Sequence, residues 1–178
     1  MKQVKLHDLT FEPFITAEEI NNVVEDLAGK IDRDYKDLNP VLLIVLNGAF
    51  MFAADLVRKI SIPLRLDFLK VSSYAGTQST GQIGAHFLWK TPLKDQHVIL
   101  VEDIVDTGHT LAYLKEKINE ENPASLEVTC LLKKPEAYQY SDIIRYEGMS
   151  IPNDFIVGYG LDYDGIGRDL DCIYRKCD

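Results

Sequence analysis

Glu102, Asp103 and Asp106 place three carboxylates within five positions, and Thr107-Gly108-His109-Thr110 follows them directly. The first two suit hydroxyl groups. Adjacent carboxylates accept hydrogen bonds from a vicinal diol, as the acidic residue of a dinucleotide-binding fold does with ribose. The second half suits a phosphate. Thr107 and Thr110 supply hydroxyl donors, Gly108 lets backbone approach closely, and a helix opening here would aim unpaired N–H groups and its positive dipole end at an anion. A diol acceptor one loop from a phosphate cradle describes ribose-5-phosphate. On these residues alone a plainer alternative stays open, since acids near a helix N-terminus also serve as ordinary caps.

The charge balance says what kind of phosphate site this must be. The chain has 19 Lys and Arg against 28 Asp and Glu, a net charge of -9. Broad adhesion to nucleic acid or to an anionic membrane needs a cationic face, so the balance argues against both and against an RNA-binding regulator. A phosphate site must then be local, built from backbone N–H groups, a helix N-terminus, a few cations or a divalent metal. Cys130, Cys172 and Cys177 form no C-x-x-C pair and read as incidental thiols. Residues 1–10 lack the apolar core of a signal peptide, and no apolar run approaches the roughly 20 residues of a membrane span. A cytoplasmic protein is expected.

A length of 178 residues and a hydrophobic fraction of 46% predict one domain with a real core. Residues 17–33 carry Ile20, Val23, Val24, Leu27 and Ile31 at helical spacing, with Thr16 and Glu19 as a capping box. Residues 41–46 are an unbroken apolar run ending in Asn47-Gly48, and 49–60 have helical spacing: strand, tight loop, helix. Further strands are expected at 64–74, 84–91, 97–101, 126–132 and 154–159, a helix at 110–119, a mobile loop at 75–81 and a polar tail. Strands alternating with helices predict an α/β fold, a mostly parallel sheet with helices on both faces. In such sheets ligands bind beyond the carboxyl ends of strands, which is where the acidic string falls.

The string Val98-Ile99-Leu100-Val101-Glu102-Asp103-Ile104-Val105-Asp106-Thr107-Gly108-His109-Thr110-Leu111 closely resembles the phosphoribosyl-diphosphate signature of the type I phosphoribosyltransferases. The similarity runs from about residue 41 to 170 and points to the hypoxanthine/guanine branch. It implies transfer of ribose-5-phosphate from phosphoribosyl diphosphate to hypoxanthine or guanine, giving IMP or GMP and pyrophosphate, with magnesium as cofactor. It also implies a core at about 35–135, a hood from the N-terminal segment and about 136–178, and a homodimer or homotetramer.

Residue by residue, the resemblance makes Asp106 the general base. Glu102, Asp103, Thr107, Gly108, His109 and Thr110 fall to the ribose and its 5′-phosphate, although the His109 imidazole, where many relatives have Lys, is left between phosphate and solvent. Leu46, Asn47 and Gly48 resemble the pyrophosphate loop with its non-proline cis peptide; Asn47 stands where the family often has Lys. Ser73 and Tyr74, with Ser79-Thr80-Gly81, are similar to the family's flap over the site. Lys134, in Leu131-Leu132-Lys133-Lys134-Pro135, matches the lysine that reaches the purine 6-oxo group. In Phe155-Ile156-Val157-Gly158-Tyr159-Gly160-Leu161-Asp162-Tyr163, Phe155 takes the place of the ring that stacks on the base, and the Ile156 backbone faces the purine edge. Asp162 corresponds to a magnesium carboxylate, with Glu102 and Asp103 as further metal candidates, and Arg168 to an arginine on pyrophosphate.

Overall fold

The computed structural model describes residues 2–71, 85–86, 89–141 and 144–177. In chain order the elements are β1 (Val4–Leu6), β2 (Leu9–Ile15), α1 (Ala17–Asp34), β3 (Val41–Leu46), α2 (Phe50–Lys59), β4 (Arg65–Val71), β5 (Ala85–His86), β6 (His97–Val105), α3 (His109–Glu120), β7 (Ser125–Lys133), β8 (Tyr146–Ser150), β9 (Ile156–Val157) and β10 (Ile173–Lys176). The larger sheet runs β5-β4-β3-β6-β7-β8. Its five strands β4, β3, β6, β7 and β8 are parallel and only β5 is antiparallel.

The apolar run of β3 is fully covered because alternate side chains face opposite helical layers. Leu42 and Ile44, with Ile99 and Val101 of β6, pack under α1 and α2. Val41, Leu43 and Val45, with Val98 and Leu100, pack against α3. α1 starts on the expected capping box: the Glu19 N–H donates to Thr16 Oγ1 at 3.1 Å and the Thr16 N–H to Glu19 Oε2 at 2.8 Å. No helix among the described residues is long and apolar enough to cross a membrane.

A second, antiparallel sheet, β1-β2-β10-β9, joins the two ends of the chain around Phe11, Val157, Cys172 and Tyr174. The reading of the sequence held no strand at β1, β2, β8 or β10, where a polar tail was expected for the last of these. These strands are three to seven residues long, and β2 pairs with β10 across almost the whole chain, so local pattern carries little of the signal.

Other boundaries differ for visible reasons. Of the strand expected at 84–91, Ala85–His86 is strand and the other described residues, 89–91, are not. The N–H groups of Lys90 and Thr91 donate instead to Asp67 Oδ2, at 2.8 and 2.6 Å, so a side chain takes the place of a ladder. The strand expected at 154–159 shrinks to β9, because Gly158 and Tyr159 turn to φ 101° and 49°. β6 runs past the expected 101 to Val105, so Glu102 and Asp103 are its last turns of pleat rather than loop. Ser73, Tyr74 and Ser79-Thr80-Gly81 lie outside the described residues.

Candidate active site

Strand β6 and helix α3 are separated only by Asp106-Thr107-Gly108, and this corner is the heart of the site. Gly108 is the N-cap of α3 at φ 86° and makes no side-chain cap hydrogen bond itself, while the His109 N–H reaches Thr107 Oγ1 at 3.5 Å. A Cβ on Gly108 would sit 2.5 Å from the Tyr138 ring and 2.8 Å from the Tyr140 ring. Those two tyrosines, which no motif or periodicity singles out, roof the corner. Glu102, Asp106, Thr107, Gly108 and Thr110 line one cavity of about 100 Å³. The His109 ring turns outward, its Nδ1 2.9 Å from the Tyr140 hydroxyl and its plane edge-on to that ring.

Lys134 reaches the same corner from β7. Its backbone N–H donates to the Val105 carbonyl at 2.9 Å, which extends the β6–β7 pairing by one step. Its Nζ lies 2.9 Å from Asp106 Oδ2, the lysine side chain nearly buried and the aspartate half exposed. The neighbouring Lys133 is committed elsewhere, to Glu147 at 3.0 Å and over the Tyr138 ring.

Alternation along β6 sends Glu102 and Asp103 to opposite sides. Glu102 faces the cavity, while Asp103 lies against the loop after β3, where a Cβ on Gly48 would fall 1.7 Å from Asp103 Oδ2. Only glycine lets that loop, which holds the cis Leu46-Asn47 peptide, come so near a carboxylate. The other side of the loop is just as tight, since a Cβ on Gly160 would meet the Gly48 carbonyl oxygen at 2.1 Å. Arg168 completes this cluster. Its guanidinium donates to the Gly160 carbonyl at 2.6 Å and pairs with Asp162 at 2.5 Å; Asp162 in turn accepts the Gly165 N–H at 2.8 Å.

Gly160 has no role in the sequence reading above; its sign in the sequence is Gly158-Tyr159-Gly160, two glycines both at positive φ. Phe155 belongs to a third cluster. It is 45% exposed, with Tyr163 5.6 Å away edge-on and the buried Phe11 at 6.0 Å. Ile156 is buried and pairs with Arg175 in the second sheet.

Burial dominates the electrostatics here. It pushes the Glu102 carboxyl well above its ordinary value, and the nearby Asp103 adds to the rise. Burial also pushes Asp103 up to about 6, against the pull of backbone N–H groups and Arg168, with Asp162 adding to the push. Among the described residues no three His, Cys, Asp or Glu side chains converge as a ready-made metal cage. Magnesium, however, keeps water and phosphate oxygens as most of its ligands and takes one or two carboxylates from the protein. Asp162 and Asp103, both in the field of Arg168, fit an ion delivered on a diphosphate.

A raised carboxyl has a definite consequence for stability. The unfolded chain ionises Asp103 near 3.8 and the folded chain near 6, so the folded state binds more protons between these values and its stability falls as pH rises through them. Asp103→Asn is therefore expected to raise Tm at about pH 8 and to leave it unchanged at about pH 4. Thermal melts across that range check it, and an equal or opposite effect at both ends would contradict it.

Comparison with known proteins agrees with this geometry. Residues 16–164 match the family described as phosphoribosyl transferase domain. The hypoxanthine-guanine phosphoribosyltransferase of Mycobacterium tuberculosis is 42% identical over 168 residues, covering 89% of this chain and 82% of its own. The crystal structure of a hypoxanthine-guanine phosphoribosyltransferase from Bacillus anthracis superposes with a TM-score of 0.86 at 37% identity, covering 92% of this chain and 97% of that one. A variant of the Trypanosoma cruzi hypoxanthine phosphoribosyltransferase, complexed with the product IMP, superposes at 0.87 with 36% identity, covering 98% and 94%. The chain belongs to the phosphoribosyl transferase domain family, among relatives that are hypoxanthine-guanine phosphoribosyltransferases.

Proposed function

We propose that the chain transfers the ribose-5-phosphate unit of phosphoribosyl diphosphate to hypoxanthine or guanine, giving IMP or GMP and pyrophosphate. The observation that carries this reading is the corner between β6 and α3, where carboxylates leave the sheet and run within a few residues into a helix N-terminus that opens on Gly108. Purine N9 attacks the anomeric carbon as its bond to pyrophosphate breaks, with inversion, through an oxocarbenium-like transition state. Asp106 accepts the N7 proton of the base, so that electron density is available at N9 as the sugar becomes cationic. Thr107, Gly108 and Thr110, with the His109 backbone, hold the 5′-phosphate, and the His109 ring stays with Tyr140. Glu102 approaches the ribose hydroxyls from the cavity side and Asp103 from the side of residues 46–48. Residues 46–48 and Arg168 hold the pyrophosphate, so positioning supplies much of the acceleration. Magnesium, when bound at Asp162 with Asp103 or Glu102, offsets charge on the leaving group. Phe155 covers one face of the base and the Ile156 backbone meets its edge. The second sheet forms the hood. The enzyme works in the cytoplasm as a homodimer or homotetramer, without nucleic acid or membrane.

The Asp106–Lys134 pair supports the choice of base. It presents an acceptor beside a donor, and the N7–H and O6 of a 6-oxopurine present a donor beside an acceptor. Adenine turns an amino group toward Lys134, leaving two donors opposed. Steady-state kinetics with phosphoribosyl diphosphate and magnesium should then give kcat/KM for hypoxanthine and guanine at least about a hundredfold above adenine. Equal rates with adenine would overturn the assignment, and the same series including xanthine ranks the 6-oxopurines.

A further inference from the structure

The ring assigned to the purine face does not stand alone. Phe155 is half exposed, yet its inner side is held by two other rings, Phe11 from β2 and Tyr163 from the turn after β9. Phe11 is fully buried, a fixed floor. Tyr163 meets Phe155 at an interplanar angle of 87°, the edge-to-face geometry that gives aromatic pairs their orientational preference. A tyrosine ring can set its neighbour's rotation only if it is itself fixed, and Tyr163 is fixed at its far end. Its hydroxyl donates to Asp8 Oδ1 at 2.7 Å.

His7 adds a second contact from the same place. Its ring lies edge-on to Tyr163 at 5.4 Å, and its Nε2 is 3.4 Å from the Asp164 carbonyl oxygen. His7 and Asp8 are the two residues of the turn between β1 and β2. Tyr163 for its part is the first residue of a tight turn closed by reciprocal backbone hydrogen bonds with Ile166, 2.9 and 3.2 Å long. Side by side, then, stand an N-terminal hairpin turn, a tyrosine gripped by that turn, and the exposed ring which that tyrosine meets edge-on.

Resting on the placement of Phe155 against the purine, we propose that Tyr163 is a positioning residue for base binding, and that the His7-Asp8 turn acts through it. The Asp8–Tyr163 bond fixes the tyrosine, the tyrosine fixes the Phe155 ring plane, and the plane sets how well the purine stacks. Asp8 and Tyr163 touch neither sugar nor phosphate in this scheme, so their effect falls on one substrate only.

The test is a set of kinetic parameters for Asp8→Ala, Tyr163→Phe, the double variant and Phe155→Ala, with thermal melts alongside. Each of the first two changes removes the same bond, one its acceptor and the other its donor, so the KM for hypoxanthine should rise roughly three- to tenfold in both and no further in the double variant, with the KM for phosphoribosyl diphosphate and Tm unchanged. Tyr163→Leu, which also removes the ring contact, should raise the hypoxanthine KM further. If Phe155→Ala raises the purine KM while Asp8→Ala and Tyr163→Phe leave it at the wild-type value, the positioning role is overturned and the stacking reading survives. If Phe155→Ala leaves the purine KM unchanged, the stacking reading fails and the role of Tyr163 goes with it.

Discussion

Asp106→Asn is expected to lower turnover by about a hundredfold, within the range a single general base supplies, while IMP still binds. Asparagine keeps the shape of the side chain and one acceptor oxygen but takes no proton from N7. The change also strips Lys134 of its charged partner. That lysine is only 11% exposed and the aspartate 48%, so the loss in stability is expected to be modest, about 1 kcal/mol. The two effects separate in a double variant. Adding Lys134→Met to Asp106→Asn removes the unpaired cation and should recover stability, with turnover staying low or falling further. Pre-steady-state turnover and IMP titration by calorimetry measure both sides. Turnover within threefold of the wild type would take Asp106 out of the mechanism, whereas a parallel loss of IMP affinity would make it a binding residue.

How much of this site could be read before any coordinates existed depends on how local each part is. The β6–α3 corner was legible because its acids, hydroxyls and glycine are consecutive, and the same string that names the chemistry also ends a strand and starts a helix. The parallel sheet was legible in runs such as Val41–Leu46, buried on both faces. What was not legible is what distant segments do to one another. The sequence put Glu102 and Asp103 together as a ribose pair; the extension of β6 to Val105 parts them, one toward the cavity and one toward Gly48. Tyr138 and Tyr140 carry no periodicity and matter only because a folded-back segment lays them on Gly108. The second sheet escaped for the same reason. Phe11 is 163 positions from Tyr174 along the chain, and no local pattern announces that they share a core.

Gly48→Ala should be a severely damaging change for a single methyl. Most added methyls can be absorbed by a neighbouring side chain, but here the clash is with a carboxylate that has nowhere favourable to go. The new Cβ would lie 1.7 Å from Asp103 Oδ2 and 2.6 Å from its Cγ. Asp103 is already destabilised by burial, as its raised carboxyl shows, and the loop cannot retreat because Gly160 closes on its carbonyl from behind. Either Asp103 leaves its place or residues 46–48 do, and both belong to the proposed grip on ribose and pyrophosphate. The expected result is a fall in kcat/KM for phosphoribosyl diphosphate of at least about a hundredfold, with an overpacking cost of about 1–3 kcal/mol in stability. Gly29→Ala is the matched control. It lies inside α1 with nothing within 4 Å of the added Cβ, so it should stabilise by about 0.5–1 kcal/mol and leave kinetics alone. Combining Gly48→Ala with Asp103→Ser relieves the clash. Stability should then return without activity, because the space is restored but the carboxylate is gone. Recovery of both would mean that Asp103 matters here only as an obstacle, and wild-type kinetics in Gly48→Ala alone would place the pyrophosphate somewhere other than this loop.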